Sequence, residues 1–229
     1  IEPKNIFSVT VRPCTAKKFE AARPEMGADN VFDIDAVLTT RELASLIKMN
    51  GIDLASLTPE EADLPFGTRS GAGKIFGATG GVMEAAIRTA YFMITGGELK
   101  SLKVEAVRGL EGIKEAKLKV GDLEVGVAVV NGIGNAAKLL DQIKAGRKDI
   151  HFIEVMTCPG GCVAGGGQPL DTDQDKIRSR LQALYTIDQN ETIRTSHTNK
   201  DIQELYKDFL GKPLSKVSQK FLHTHYAKR

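Results

Sequence analysis

Tryptophan is absent from this chain of 229 residues, and cysteine nearly so, at three. An odd trio of thiols argues against a disulfide framework and suits metal binding or buried free thiols. No apolar run approaches the ~20 residues of a membrane span. Ile1-Glu-Pro-Lys4 carries no basic-then-apolar export pattern. Charge of one sign is missing too: the formal net charge is +2, which gives no electrostatic ground for nucleic acid or a lipid surface as partner. There is no internal repeat and no low-complexity tract. What remains, 41% hydrophobic and 26% charged, is an ordinary globular composition with length enough for a substantial core.

Hydrophobic patterning predicts strands alternating with helices. Ile6 to Arg12 reads as a strand stopped by Pro13, with a helix over Thr15 to Arg23. Ala36 to Thr40 is a second strand, followed by a helix to Met49 that Gly51 closes. Residues 51 to 78 read as a long loop. Gly80 to Ile94 is a strong helix stopped by Gly96-Gly97. Lys103–Val107 and Lys117–Val120 look like edge strands, Leu123 to Val130 a buried strand, Asn135 to Ala145 an amphipathic helix, and His151 to Val155 the next strand. Helices are expected over Asp175 to Tyr185, Asp201 to Leu210 and Pro213 to His225. The expectation is an α/β fold, a mostly parallel sheet flanked by helices, with a C-terminal helical segment. It is one domain over 1–229, an α/β lobe over 1–168 with the helices of 169–229 packing on it. The cysteines then fall at the carboxyl ends of strands, where such sheets place their sites.

Two of the three cysteines sit in Glu154-Val-Met-Thr-Cys158-Pro-Gly-Gly-Cys162-Val-Ala-Gly-Gly-Gly-Gln168, and the third in Val11-Arg-Pro-Cys14-Thr-Ala-Lys17-Lys-Phe-Glu20. A lone cysteine ordinarily reads as a small buried hydrophobe. Five glycines around Cys158 and Cys162 make a poor core, and they let the main chain approach a bound group closely. Lys17 and Glu20, three apart, also read as an ordinary solvated ion pair. Ser70-Gly-Ala-Gly-Lys74 lacks the spacing of a phosphate loop, and Gly132-Ile-Gly134 lacks the third glycine of a dinucleotide fingerprint.

These segments resemble the iron-only (di-iron) hydrogenases, in the second half of their catalytic domain. The Cys14 segment is similar to the family's Pro-Cys-x-x-Lys-x-x-Glu motif. The Cys158 segment is similar to its Glu-Val-Met-x-Cys-Pro-Gly-Gly-Cys motif with a Gly-Gly-Gly-Gln tail. Phe76 to Thr89 looks like the family's helix-start motif, and Leu222-His-Thr-His-Tyr226 like its closing one. The resemblance implies the second lobe of the hydrogenase large-subunit fold and reversible conversion of H2 at an H-cluster. That cofactor is a 4Fe-4S cubane joined to a di-iron subcluster with CO and CN ligands. It implies Cys14 and Cys158 as cubane ligands and Cys162 as the bridge between cubane and di-iron unit. Lys17 would hydrogen-bond a cyanide ligand and Glu20 would serve the proton path. Phe76, Met83 and Met156 would form an apolar shell, which core packing explains equally well. Gly160 and Gly161 would offer N–H groups to the cluster sulfurs.

The family's Thr-Ser-Cys motif, which brings the fourth cubane ligand, is missing. The implied partners are therefore a complementary hydrogenase half or subunit bearing it, ferredoxin or ferredoxin-like domains, and H2 with protons as substrates. The expected location is the cytoplasm of an anaerobe, or outside it by export with a partner subunit. Arg12 departs from the family, which usually has Met there; a guanidinium beside the pocket points toward a tuned, sensory or degenerate member. Asn131 and Gln219 replace histidines often found in their segments. Ligation by His151, His197, His223 or His225 is disfavoured. The competing reading is a hydrogenase-like iron–sulfur protein without the di-iron unit, in electron transfer, sensing or cluster assembly. Cluster-assembly relatives typically end in Trp, which this chain lacks.

Overall fold

The computed structural model describes residues 1–28, 31–64, 67–225 and 227. The class is α/β, as the pattern predicts. The chain runs β1 (Val9–Arg12), α1 (Ala16–Ala21), β2 (Gly27–Ala28), β3 (Val31–Phe32), β4 (Ala36–Thr39), α2 (Thr40–Met49), α3 (Gly71–Lys74), α4 (Gly81–Thr95), β5 (Ile113–Val120), β6 (Leu123–Asn131), α5 (Ile133–Lys144), β7 (Phe152–Met156), α6 (Gln174–Asn190), α7 (Lys200–Leu205) and α8 (Lys216–Leu222). It divides into two compact units: Ile1–Phe66 with Gly165–Thr172 and Glu204–Arg229, and Gly67–Ala164 with Asp173–Gln203.

In the first unit, β1 pairs with β4 in parallel, Arg12 opposite Thr39, and β2 pairs with β3 antiparallel. Thr39 starts α2 with a reciprocal cap: its hydroxyl accepts from Glu42 N–H, and the Glu42 carboxylate accepts from Thr39 N–H at 2.8 Å. Gly51 ends that helix region at φ +66°. Among the described residues of this unit, Val37 and Leu210 are the buried apolar side chains. Val9 and Val11 of β1 stay 52% and 45% exposed, unusual for a parallel pair, whose faces are normally covered.

The second unit holds most of the core. A long antiparallel hairpin, β5–β6, lies beside the parallel pair β6–β7 in the order β5-β6-β7. Val127 and Val129 pack on one side of β6 with Met83, Ile87 and Val107; Ala128 and Val130 pack on the other with Ala136 and Leu139. Strand residues on both faces are thus buried, as the uninterrupted Val125–Val130 run anticipates.

Lys103–Val107 is not a strand. Glu105–Val107 forms a 3₁₀ turn in which Val107 N–H donates to Val104 C=O at 3.2 Å, and Val104 and Val107 point into one cluster. Spacing of three, not alternation, sets that segment. The loop of 51 to 78 contains structure at its end: Ser70 caps α3, and a 3₁₀ turn follows at Ile75–Gly77. Gly71 serves close packing there rather than a loop. A Cβ at Gly71 would lie 2.3 Å from Asp188 Oδ1.

Candidate metal centre: two cysteine turns

Each cysteine segment follows the carboxyl end of a strand in a parallel pair, Cys14 after β1 and Cys158 after β7. Cys14 belongs to the first unit, Cys158 and Cys162 to the second. None is in a disulfide; Cys14 and Cys158 are half-buried and Cys162 is exposed.

The Cys158 turn is built from its residue types. Cys158 C=O accepts from Gly161 N–H at 2.9 Å, with Pro159 and Gly160 between. Proline fixes the first corner and Gly160, at φ +89°, takes the second, which is the type II arrangement. Gly161 follows at φ +95°, and a Cβ there would meet Gly77 O and Thr79 N at 2.7 Å. Gly160 C=O accepts from Thr79 N–H at 3.1 Å, and Gly160 N–H donates to Asn131 Oδ1 at 3.1 Å. The N–H groups of Gly160 and Gly161 are therefore spent within the protein. That corrects the expectation that both would face cluster sulfurs.

Glu154, fully within β7, supplies the other support. The N-cap of α4 is Gly80, which has no side chain, and Glu154 takes its place. Its carboxylate accepts from Gly80 N–H at 2.6 Å and Met83 N–H at 2.7 Å, in a buried site. A carboxylate at a helix N-terminus satisfies orphan donors and meets the positive end of the dipole. Nearby, Lys114 is 6% exposed and donates to Gly109 C=O at 2.8 Å. Burial pulls its ammonium down to about 8, against the opposing pull of Glu154 and Glu111. On α4 itself, Arg88 is fully buried and bidentate to Asp188 of α6, while Arg88 and Arg108 both reach Glu84 and Arg194 reaches Asp188. The Arg88 guanidinium is held above its ordinary value: burial opposes its charge, and the Asp188 bonds and the charge of Glu84 outweigh it.

In the first unit, the Gly-Gly-Gly-Gln tail lies on the Cys14 turn. Gly167 N–H donates to Pro13 C=O at 3.0 Å, and a Cβ on Gly167 would lie 2.9 Å from Cys14 N. Arg41 ties the tail down through Gln168 C=O at 2.5 Å. Lys17 and Glu20 form an ion pair with each other, 48% and 28% exposed. Arg12 is exposed.

Phe76 is 47% exposed, Met156 half-buried at the end of β7, and Met83 fully buried in the core with Ile87, Val127 and Val129. His151 accepts from Gly126 N–H, and His197 pairs with Glu98 and stacks on Phe92. Tyr226 of the closing motif lies outside the described residues.

The Cys158 turn fits a soft metal group in its chemistry: two thiols on one turn, with backbone packed where a Cβ on Gly161 would intrude. Among the described residues no three His, Cys, Asp or Glu side chains converge to hold a metal ion. Thr79 Oγ1, fully buried beside the turn, has no hydrogen-bond partner in the protein. Glu154 and Asn131 were legible but unassigned: one opens the cysteine motif, the other ends the most apolar strand.

Comparison with known proteins places this architecture. The family described as iron only hydrogenase large subunit, C-terminal domain, matches residues 1–166, and the iron hydrogenase small subunit family matches residues 174–229. The chain belongs to the iron-only hydrogenase family. It is 51% identical to the NADP-reducing hydrogenase subunit HndD of Solidesulfovibrio fructosivorans over 230 residues, all of this chain and 39% of that protein. It is 47% identical to iron hydrogenase 1 of Clostridium pasteurianum, again over all of this chain and 41% of that one. The mouse cytosolic iron-sulfur assembly component 3 is 30% identical over 99% of this chain and 48% of its own length. A solved FeFe-hydrogenase from Chlamydomonas reinhardtii superposes with a TM-score of 0.82 at 41% identity, covering 99% of this chain and 64% of that one. The chain thus spans about two fifths to a half of these curated relatives.

Proposed function

We propose that residues 1–229 form the second half of one hydrogenase catalytic domain and act, together with an upstream half, in the reversible conversion of H2 to two protons and two electrons. The observation that carries this is the braced Cys158–Cys162 turn, with Cys14 on a matching strand end. Cys14 and Cys158 would hold a 4Fe-4S cubane, and Cys162 would bridge it to a di-iron unit. Bound there, the H-cluster supplies the redox chemistry that the side chains cannot. The chain's own part is to bind, orient and protect. Lys17 would turn its ammonium to an anionic ligand of the iron. Glu20 would take protons in and out, and the exposed face of α1 leaves that carboxylate in reach of water. Phe76 and Met156 would restrict water and gas access.

The fourth thiolate would come from the complementary half or subunit, and electrons would pass to ferredoxin or ferredoxin-like domains. The location proposed is the cytoplasm, with export alongside a partner subunit as the alternative. Among the described residues no helix is long and apolar enough to cross a membrane. A second reading, a cluster-binding protein without the di-iron unit, is favoured by the exposed Arg12 beside the Cys14 turn.

Infrared spectroscopy separates the two. The chain, matured anaerobically with its upstream half, is expected to show bands of metal-bound carbonyl and cyanide. Iron and sulfide without those bands would leave the second reading. Cys162→Ala should abolish the bands and H2 turnover together, and retention of either overturns the assignment of Cys162.

A further inference from the structure

We infer that Asn131 is a positioning residue which holds the Cys158 turn in its ligand-ready shape before any metal arrives. This rests on the reading of that turn as a cluster cradle. Asn131 closes β6 beside the end of β7, opposite Met156, and Gly132 N–H donates to Met156 C=O at 2.7 Å. The strand ends are thereby locked in register. From that fixed point the Asn131 side chain, 6% exposed, accepts the Gly160 N–H at 3.1 Å. Gly160 is the one corner of the turn whose φ, +89°, only glycine adopts without strain.

A residue so permissive is also the most costly to order, and the amide bond removes its freedom. Gly160 C=O is held at the same time by Thr79 N–H. With both of its polar groups fixed, the corner between the two thiols is prevented from flipping. The acceptor is neutral and has no proton to gain in the physiological range, so this clamp is indifferent to pH. A histidine at the same place would accept only in its neutral form.

Hydrogen exchange on the metal-free chain of 229 residues reads the clamp directly, without requiring cluster assembly. Asn131→Ala should lower the protection factor of the Gly160 amide at least tenfold while amides of Val127–Val130 keep theirs. Asn131→Asp, which restores an oxygen acceptor, should recover it. In Asn131→His, protection should be present at pH 8 and lost at pH 5, on either side of an ordinary histidine pKa of about 6.5. Should Asn131→Ala unfold, the Asp and His variants decide alone. Native-like Gly160 protection in Asn131→Ala, or a pH-independent Asn131→His, overturns the inference. Iron and sulfide per chain, measured after maturation with the upstream half, report separately on the hydrogenase reading. If the native chain takes up no iron, that reading fails while the exchange result still judges Asn131.

Discussion

Both cysteine turns leave the carboxyl end of a parallel strand, but they differ in what braces them. The Cys158 turn stands on a three-stranded sheet with both faces buried, and it is held by Asn131, Thr79 and the packed backbone of residues 77 to 79. The Cys14 turn follows β1, whose Val9 and Val11 are half exposed, and Gly167 N–H bonds to Pro13 C=O beside it. A ligand turn can thus be preorganised in one unit, while the other presents apolar strand surface, as an incomplete layer would. That contrast agrees with a chain that covers only part of its relatives' length.

The sharpest way to break the comparison is to remove the rigidity around α4. Asp188→Asn removes one of the two carboxylates on buried Arg88 and the one that Arg194 reaches, and should cost about 3–5 kcal/mol in denaturant unfolding of the second unit. A loss below about 1 kcal/mol would show the network to be dispensable.

Lys114 gives an effect of opposite sign with a defined pH window. Its folded value, about 8, lies below its unfolded one, so the unfolded chain holds the proton more tightly between pH 8 and 10.5. Below that window the buried charge weakens the fold; through it, stability from this group rises with pH. Lys114→Met should therefore gain on the native chain at pH 7 and lose about 3 kcal/mol of that advantage by pH 10.5. A difference that does not vary with pH would refute the burial of a charged amine.

Gly161→Ala comes next. A positive φ and a Cβ set against Gly77 O and Thr79 N should cost about 1–3 kcal/mol in backbone strain alone, read as a lower unfolding midpoint. The smallest effect is expected in the first unit: Val11→Thr on the open face of β1 should change stability by under about 0.5 kcal/mol. A larger loss in the isolated chain would mean that this face is already packed.

Much of this was legible in the chain. Thr40–Met49 forms a helix over the span its spacing predicts, because its cap and apolar period are local signals. The Cys158 turn follows from Pro159 and two glycines for the same reason. Segment 103 to 107 misled because its alternation is polar and apolar by coincidence, and two valines three apart found one cluster. Segment 71 to 77 misleads because Gly71 is packed against Asp188 and Gly77 against Leu184, partners more than a hundred residues away in the chain.

The sequence by itself determined the α/β class, the strand ends that carry the thiols and the family, since turn residues, periodicity and long motifs act over short spans. Tertiary structure decided which groups those thiols lean on. Glu154 became the cap of α4, and Asn131 the clamp on Gly160, through hydrogen bonds spanning 74, 71 and 29 residues of chain. Buried donors must find an acceptor wherever the fold brings one, and spacing along the chain does not record that choice.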